Sequence, residues 1–352
     1  TLSKDIHLET CVMFLAVLLA SASSIDESGL ANQVRQRAAA LLSCCHLCCN
    51  TTSLVAGVTA PKAWPKRGGG NWRDLLLPIS RTLDDASLLV DGDVYIFGVA
   101  AGRSLLSWRD ILLRNEVRTW GARKGTSVAP PLRSPPKKWY GFDSFAGLPE
   151  TNRDEKLAGW RRGSYRNTQQ GPREIARRYF NEDDRRSSGI PFKVSLELIP
   201  GFYNDSLTTG IIAQFDMRRA MFVEIDCDLY VSSVQALDFM FRNRLIVSGT
   251  LIGYDDWWVV PCVAKSRWIS ALEVGEGLAH AEMAKRYDVE FICLAGPCKF
   301  PSGSSWPNMH AHRGAWGAIF LVASIGAGKG SPGFMSPREE LAFRSSQYSC
   351  GY

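Results

Sequence analysis

The chain has 352 residues, enough for one large domain with appendages or for two small ones, and its 45% apolar and 22% charged content is that of a globular protein, not a disordered one. The net charge of +6 is modest for this length. The arginines between Arg161 and Arg186 alternate with Glu174, Glu182, Asp183 and Asp184, as on a solvated helical surface, and no nucleic-acid motif accompanies them, so no nucleic-acid partner is expected.

Residues 1–65 read as a leader, poorly ordered or targeting. Its apolar run from Cys11 to Ala20, followed by Ser21-Ala22-Ser23-Ser24, has the shape of a signal-peptide core. Only Lys4 before it is basic, and a buried or interfacial helix would have the same composition. Localisation therefore stays open between a targeted and a cytoplasmic protein, with no membrane contact expected beyond that segment. The thiol knot Cys44-Cys45-His46-Leu47-Cys48-Cys49 lacks a second ligand pair at zinc spacing and is given no catalytic role. Cys262, Cys293, Cys298 and Cys350 follow no disulfide or zinc spacing. The sequon Asn50-Thr51-Thr52 matters only in a secreted chain.

Pro61, Pro65 and Gly68-Gly69-Gly70 mark a linker into a main domain expected over 66–330, with an irregular tail over 331–352. A helix is expected over 71–86, a strand over 93–97, a glycine turn over 98–102 and a helix over 103–115. The proline-rich, basic stretch 121–138 reads as an inserted surface loop. A short strand over 139–142 ends at Asp143, and the polar segment 150–170 suits a mobile lid. Then come a helix over 172–181, a strand over 192–198, a further helix, and two strands ending in acids and joined by a helix over 232–241. A helix over 277–287, a strand over 289–292 and a last antiparallel strand over 317–325 complete the order. The βα alternation predicts an α/β fold, a mostly parallel sheet with helices on both faces.

The two acidic strand ends carry the most information. Phe222-Val223-Glu224-Ile225 runs into Asp226-Cys227-Asp228, and Thr250-Leu251-Ile252-Gly253-Tyr254 runs into Asp255-Asp256. Residues i and i+2 of an extended chain point the same way, so Asp226 and Asp228 are expected to face one cavity. Ligands in open α/β sheets bind beyond the carboxyl ends of the strands, and carboxylates gathered there suit a hard divalent cation, most simply Mg²⁺. Either pair alone is as well explained by a turn or a helix cap. Two pairs at two buried strand ends favour a site.

Phe97-Gly98-Val99-Ala100-Ala101-Gly102-Arg103-Ser104 lies between a strand and a helix. Gly98 and Gly102 allow close backbone approach to a ligand, and the helix start offers free N–H groups. The pattern is neither a phosphate loop nor Gly-x-Gly-x-x-Gly. Asp143 is placed either to hold ribose hydroxyls or simply to shape a turn.

Taken in order, Phe97 to Ser104, Gly141-Phe142-Asp143-Ser144-Phe145-Ala146-Gly147-Leu148-Pro149-Glu150, Pro200-Gly201-Phe202-Tyr203-Asn204-Asp205-Ser206-Leu207, Glu224 to Ser233 and Gly253 to Trp257 resemble the macrocin O-methyltransferase family. The resemblance spans roughly residues 90–325. It implies a Rossmann-like class I methyltransferase fold, S-adenosylmethionine as methyl donor, Mg²⁺ dependence and methyl transfer to a hydroxyl, often on a sugar. Carried over by residue, it makes Asp226, Asp255 and Asp256 metal ligands and Asp228 the general base. The cofactor would be held by Gly98, Gly102, Ser104 and Asp143, with Phe97, Val99, Ser144 and Phe145 from the same blocks. Two departures stand out: Ile96, where many relatives are acidic, and the insert 121–138.

Two rival readings exist. A nucleotide-sugar glycosyltransferase would use Asp226 and Asp228 on a metal, but it leaves the glycine turn, Asp143 and Asp255-Asp256 unexplained. A non-catalytic S-adenosylmethionine-binding module has only Ile96 in its favour. The hydroxyl acceptor is a small molecule of unstated identity. Trp160, Tyr165, Trp257 and Trp258 are expected either to wall its pocket or to anchor core and lid. A homo-oligomer is compatible with the sequence.

Overall fold

The computed structural model describes residues 73–340 except 74–75, 86, 115, 118–125, 128–131, 169, 181–193, 264–268, 296–316 and 329. The leader, the thiol knot, the sequon, the glycine linker, half of the insert and the end of the tail lie outside the described residues.

Seven strands form one sheet: β1 (Asp93–Phe97), β2 (Lys138–Asp143), β3 (Ser195–Pro200), β4 (Ala220–Ile225), β5 (Leu251–Tyr254), β6 (Val289–Ala295) and β7 (Ala318–Ile325). Their spatial order is β3-β2-β1-β4-β5-β7-β6. Strands β1 to β5 pair in parallel, and β7 runs antiparallel to both β5 and β6. The helices are α1 (Leu76–Asp85), α2 (Arg103–Arg109), α3 (Arg153–Leu157), α4 (Gln170–Tyr179), α5 (Tyr203–Ser206), α6 (Thr209–Phe215), α7 (Tyr230–Arg242), α8 (Val259–Val263) and α9 (Gly275–Arg286). No helix among the described residues is long and apolar enough to cross a membrane.

The central strands are buried on both faces, which is why β1 reads as an almost unbroken apolar run. Tyr95, Phe97, Val223 and Ile225 point to one side, where Ala236 and Leu237 of α7 and Met283 of α9 cover them. Val94, Ile96 and Phe222 point to the other, against Leu76 of α1 and Leu105 and Trp108 of α2. Ile96 is therefore a core residue with no exposure.

Register does the work of building a site. Phe97 is level with Phe142 on one side and with Ile225 on the other, and Ile225 is level with Tyr254. The residues that follow, Gly98, Asp143, Asp226 and Asp255, thus leave the sheet in one row. Each exit is still tied: Gly98 N–H donates to Phe142 O (2.9 Å), Asp226 N–H to Phe97 O (2.8 Å) and Asp255 N–H to Ile225 O (3.0 Å). Chain order reverses between β1 and β4, so the crevice for a ligand opens there.

Two expectations need correction. The strand β4 stops at Ile225, and Asp228 is left-handed with φ 63°, so it shares no strand face with Asp226. Cys262 and Cys293 each take part in a disulfide although their spacing showed no sign of it. Within the tail, Pro332 O, Phe334 and the buried Glu340 pack onto the domain.

His280 illustrates how β5 is braced. Its Nε2 lies 2.9 Å from Pro332 O, which can only accept, so Nε2 carries the proton and Nδ1 accepts from the Tyr254 hydroxyl at 2.9 Å. Burial holds the imidazole neutral, lowering its pKa from 6.5 to about 3. The unfolded chain then binds the extra proton, so stability present above 6.5 is lost as the pH falls toward 3. His280→Phe strands the Tyr254 hydroxyl and the Pro332 carbonyl and is expected to cost about 1–3 kcal/mol near neutrality. In urea denaturation that gap should narrow in acid, and a gap independent of pH would show that His280 contributes nothing to acid sensitivity.

Candidate active site

A cleft of about 1290 Å³ opens beyond the carboxyl ends of β1, β2, β4 and β5. On its β1 side, Gly98 has φ 97°, and a Cβ there would stand 1.7 Å from the Asp226 carbonyl oxygen. Only glycine lets the first turn pass so close to the acidic strand end. Gly102, also left-handed, opens α2.

Asp143 is committed to that turn. Its Oδ2 accepts from Val99 N–H (2.8 Å) and Ala100 N–H (2.7 Å), and its Oδ1 from Phe145 N–H (2.6 Å). Such charge-assisted bonds tie the end of β2 to the turn after β1. Asp143 still lines the cleft, as do Gly98, Val99, Ser104 and Ser144. Phe97, Gly102 and Phe145 do not: Phe97 stacks on Phe142 at 4.6 Å in the core, and Phe145 is buried behind the wall.

On the β4 and β5 side, Asp226, Asp255 and Asp256 each offer a carboxylate oxygen, all within 4.8 Å of one another. Asp228 lines the same cleft, and it and Asp256 shift each other's titration. Burial, and then mutual repulsion, hold Asp226, Asp228 and Asp256 well above the usual carboxylate range. The donors are all oxygen, the set hard-cation chemistry calls for, and their repulsion is what bound positive charge relieves.

Three groups around this cluster had no place in the sequence reading. Arg73, just ahead of α1, reaches Glu224 (3.1 Å), Asp226 (2.9 Å) and Asp255 (3.1 Å) with its Nη2. Its guanidinium also lies 5.6 Å from the centre of the Trp108 ring. Burial works against its charge, but the three carboxylates outweigh that and hold it protonated. Glu224 is wholly buried, and burial pushes its pKa up to about 7. Glu276, at the start of α9, accepts from Asp256 N–H at 3.0 Å, and its other oxygen is buried without a hydrogen-bond partner among the described residues. A charge in the middle of an otherwise apolar strand was the available signal for Glu224. Arg73 and Glu276 had no local signal.

The segment 150–170 forms one rim and is docked at its base. Asn152 and Glu155 make a capping box on α3, and Glu155 Oε1 also accepts from Tyr230 N–H (2.9 Å) at the start of α7. Trp160 packs on Leu229 and Val260. Arg162, Tyr165 and Arg166 face the cleft. Of the aromatic residues considered for a wall, Tyr165 takes that place, and burial followed by the charge of Asp228 raises its phenol pKa. Trp257 and Trp258 are core.

Strand order, the antiparallel last strand and a cleft at the chain reversal define a class I methyltransferase fold. Residues 133–276 match the family model described as Macrocin-O-methyltransferase (TylF), the family that the motifs resemble. The matched span holds Asp143 and all four aspartates of the cluster but begins after the glycine turn. Two structures of CalS11 are similar at 15% identity. One, described as a calicheamicin methyltransferase, covers 89% of this chain and 91% of its own, with a TM-score of 0.43. The other, described as the apo form of a TDP-rhamnose 3′-O-methyltransferase in calicheamicin biosynthesis, covers 89% and 93%, with a TM-score of 0.35. No curated protein matches.

Gly98 and Gly163 are both left-handed, but a Cβ at Gly163 meets nothing within 4 Å. Gly163→Ala should cost only backbone strain, about 1 kcal/mol, whereas Gly98→Ala must also displace the Asp226 backbone and should cost at least about 3 kcal/mol. Equal losses in urea denaturation would mean that the two turns are not in close contact.

Proposed function

We propose that this protein is an O-methyltransferase that uses S-adenosylmethionine and a divalent cation, most simply Mg²⁺, to methylate a hydroxyl of a small molecule, a sugar or a glycosylated natural product. The family match indicates the O-methyltransferase activity. The observation that carries the finer reading is the meeting of Asp226, Asp255 and Asp256 in the cleft that the glycine turn also lines.

The roles follow from the chemistry. S-adenosylmethionine supplies a methyl already activated by its sulfonium. Mg²⁺, held by Asp226, Asp255 and Asp256, would make a hydroxyl near it more acidic. Asp228 takes the proton of the acceptor hydroxyl; its burial beside Asp226 makes it a stronger base than an exposed carboxylate. The turn from Gly98 to Ser104 holds the methyl donor, with Asp143 fixing that turn in place through Val99 and Ala100. Any ribose contact by Asp143 falls to the remaining lone pair of Oδ1. Tyr165 and the docked rim restrict water and orient the acceptor.

Calorimetry with S-adenosylhomocysteine should show binding. Tight binding of a nucleotide sugar with none of S-adenosylhomocysteine would overturn the reading in favour of glycosyl transfer. With an active acceptor, Asp228→Asn should keep Mg²⁺ and cofactor binding while turnover falls by about a hundredfold or more. Asp226→Asn should instead weaken Mg²⁺ binding, with part of its rate restored by excess metal. The reverse pattern would exchange the two roles, and full activity in a chelator would make the carboxylates structural.

A further inference from the structure

The acidic cluster already has a cation, and it belongs to the chain. One nitrogen of Arg73, Nη2, stands about 3 Å from an oxygen of each of three acids: Glu224 at 3.1 Å, Asp226 at 2.9 Å and Asp255 at 3.1 Å. Its Nε donates to Glu224 as well (3.1 Å), and Trp108 backs the guanidinium. Asp226 and Asp255 are also two of the three acids able to hold a divalent ion. An ion bound to them at about 2.1 Å would lie only about 4 Å from a guanidinium on the same carboxylates, in a partly desolvated site where like charges repel strongly. Sharing is therefore unfavourable. We propose that Arg73 is the resident counter-ion of the cluster and that a divalent cation binds by displacing it, so the segment ahead of α1 sets the metal affinity. Displacement leaves Glu224, buried on the strand, as the partner that retains the arginine. This rests on the metal-binding reading above.

The test is Mg²⁺ titration of the metal-free full chain by calorimetry, comparing wild type with Arg73→Met and Arg73→Lys. Removal of the competing charge in Arg73→Met should tighten Mg²⁺ binding at least tenfold, with Arg73→Lys between. Unchanged or weaker binding in Arg73→Met would overturn the proposal. If that binding is still abolished by Asp255→Asn, the metal reading survives; if neither wild type nor variant binds Mg²⁺, both fall. Should Arg73→Met fail to fold, the wild type decides: the Nη2–H signal held by Asp226 and Asp255 should lose its protection from solvent exchange as Mg²⁺ is added, while the Nε–H on Glu224 keeps its own. Retained protection at saturating Mg²⁺ would overturn displacement.

Discussion

Mutual repulsion among buried and half-buried carboxylates governs this structure. Glu224, Asp226, Asp228, Asp255, Asp256 and Glu276 converge where β4, β5 and α9 meet, and desolvation and repulsion there favour the neutral acids or a nearby positive charge. They cannot spread apart. Parallel neighbours in a sheet lie about 4.8 Å apart, and the level register of Ile225 with Tyr254 sends both chains out at the same height. Such an arrangement lowers the stability of the fold and persists because surrounding structure holds it. That is the mark of a site, since a core would relieve it.

The holding elements are legible one by one. Hydrogen bonds continue the sheet ladder one residue beyond each strand, so the exits of β1, β4 and β5 are fixed. Asp143 clamps the glycine turn, Glu276 takes the Asp256 amide, and the buried His280 braces Tyr254 immediately before Asp255. Among the described residues, Arg73 is the group in ion pairs with these acids, held between Trp108 and the acids. The floor of the cleft is thus rigid.

The rim differs in kind. Arg162, Tyr165 and Arg166 project from a segment anchored at Glu155 and Trp160, and their own side chains are largely exposed. Reaction chemistry is assigned to the floor and acceptor choice to the rim, as the proposed function requires. The anchor on Tyr230 lies two residues beyond Asp228, so the rim is tied to the acidic cluster.

Much of this was readable in one dimension. The apolar runs at 93–97, 220–225 and 251–254 and the helical periods between them announced an α/β sheet, because side-chain period follows from backbone geometry. The acids after Ile225 and Tyr254 announced a site, because parallel strands deliver their carboxyl ends to one edge. What Asp143 does was left open, and the fold shows its part in the turn: both oxygens serve backbone amides, which depends on where the turn of another strand passes. The shared strand face of Asp226 and Asp228 failed because β4 ends earlier and Asp228 turns left-handed. Arg73 lies more than 150 positions from Glu224 and Asp226, in a stretch that read only as the start of a helix. Residue type, spacing and period are local and can be read from the chain. Which charge answers which is decided by packing, because a buried acid takes whatever cation the fold brings within about 3 Å, regardless of its distance in sequence.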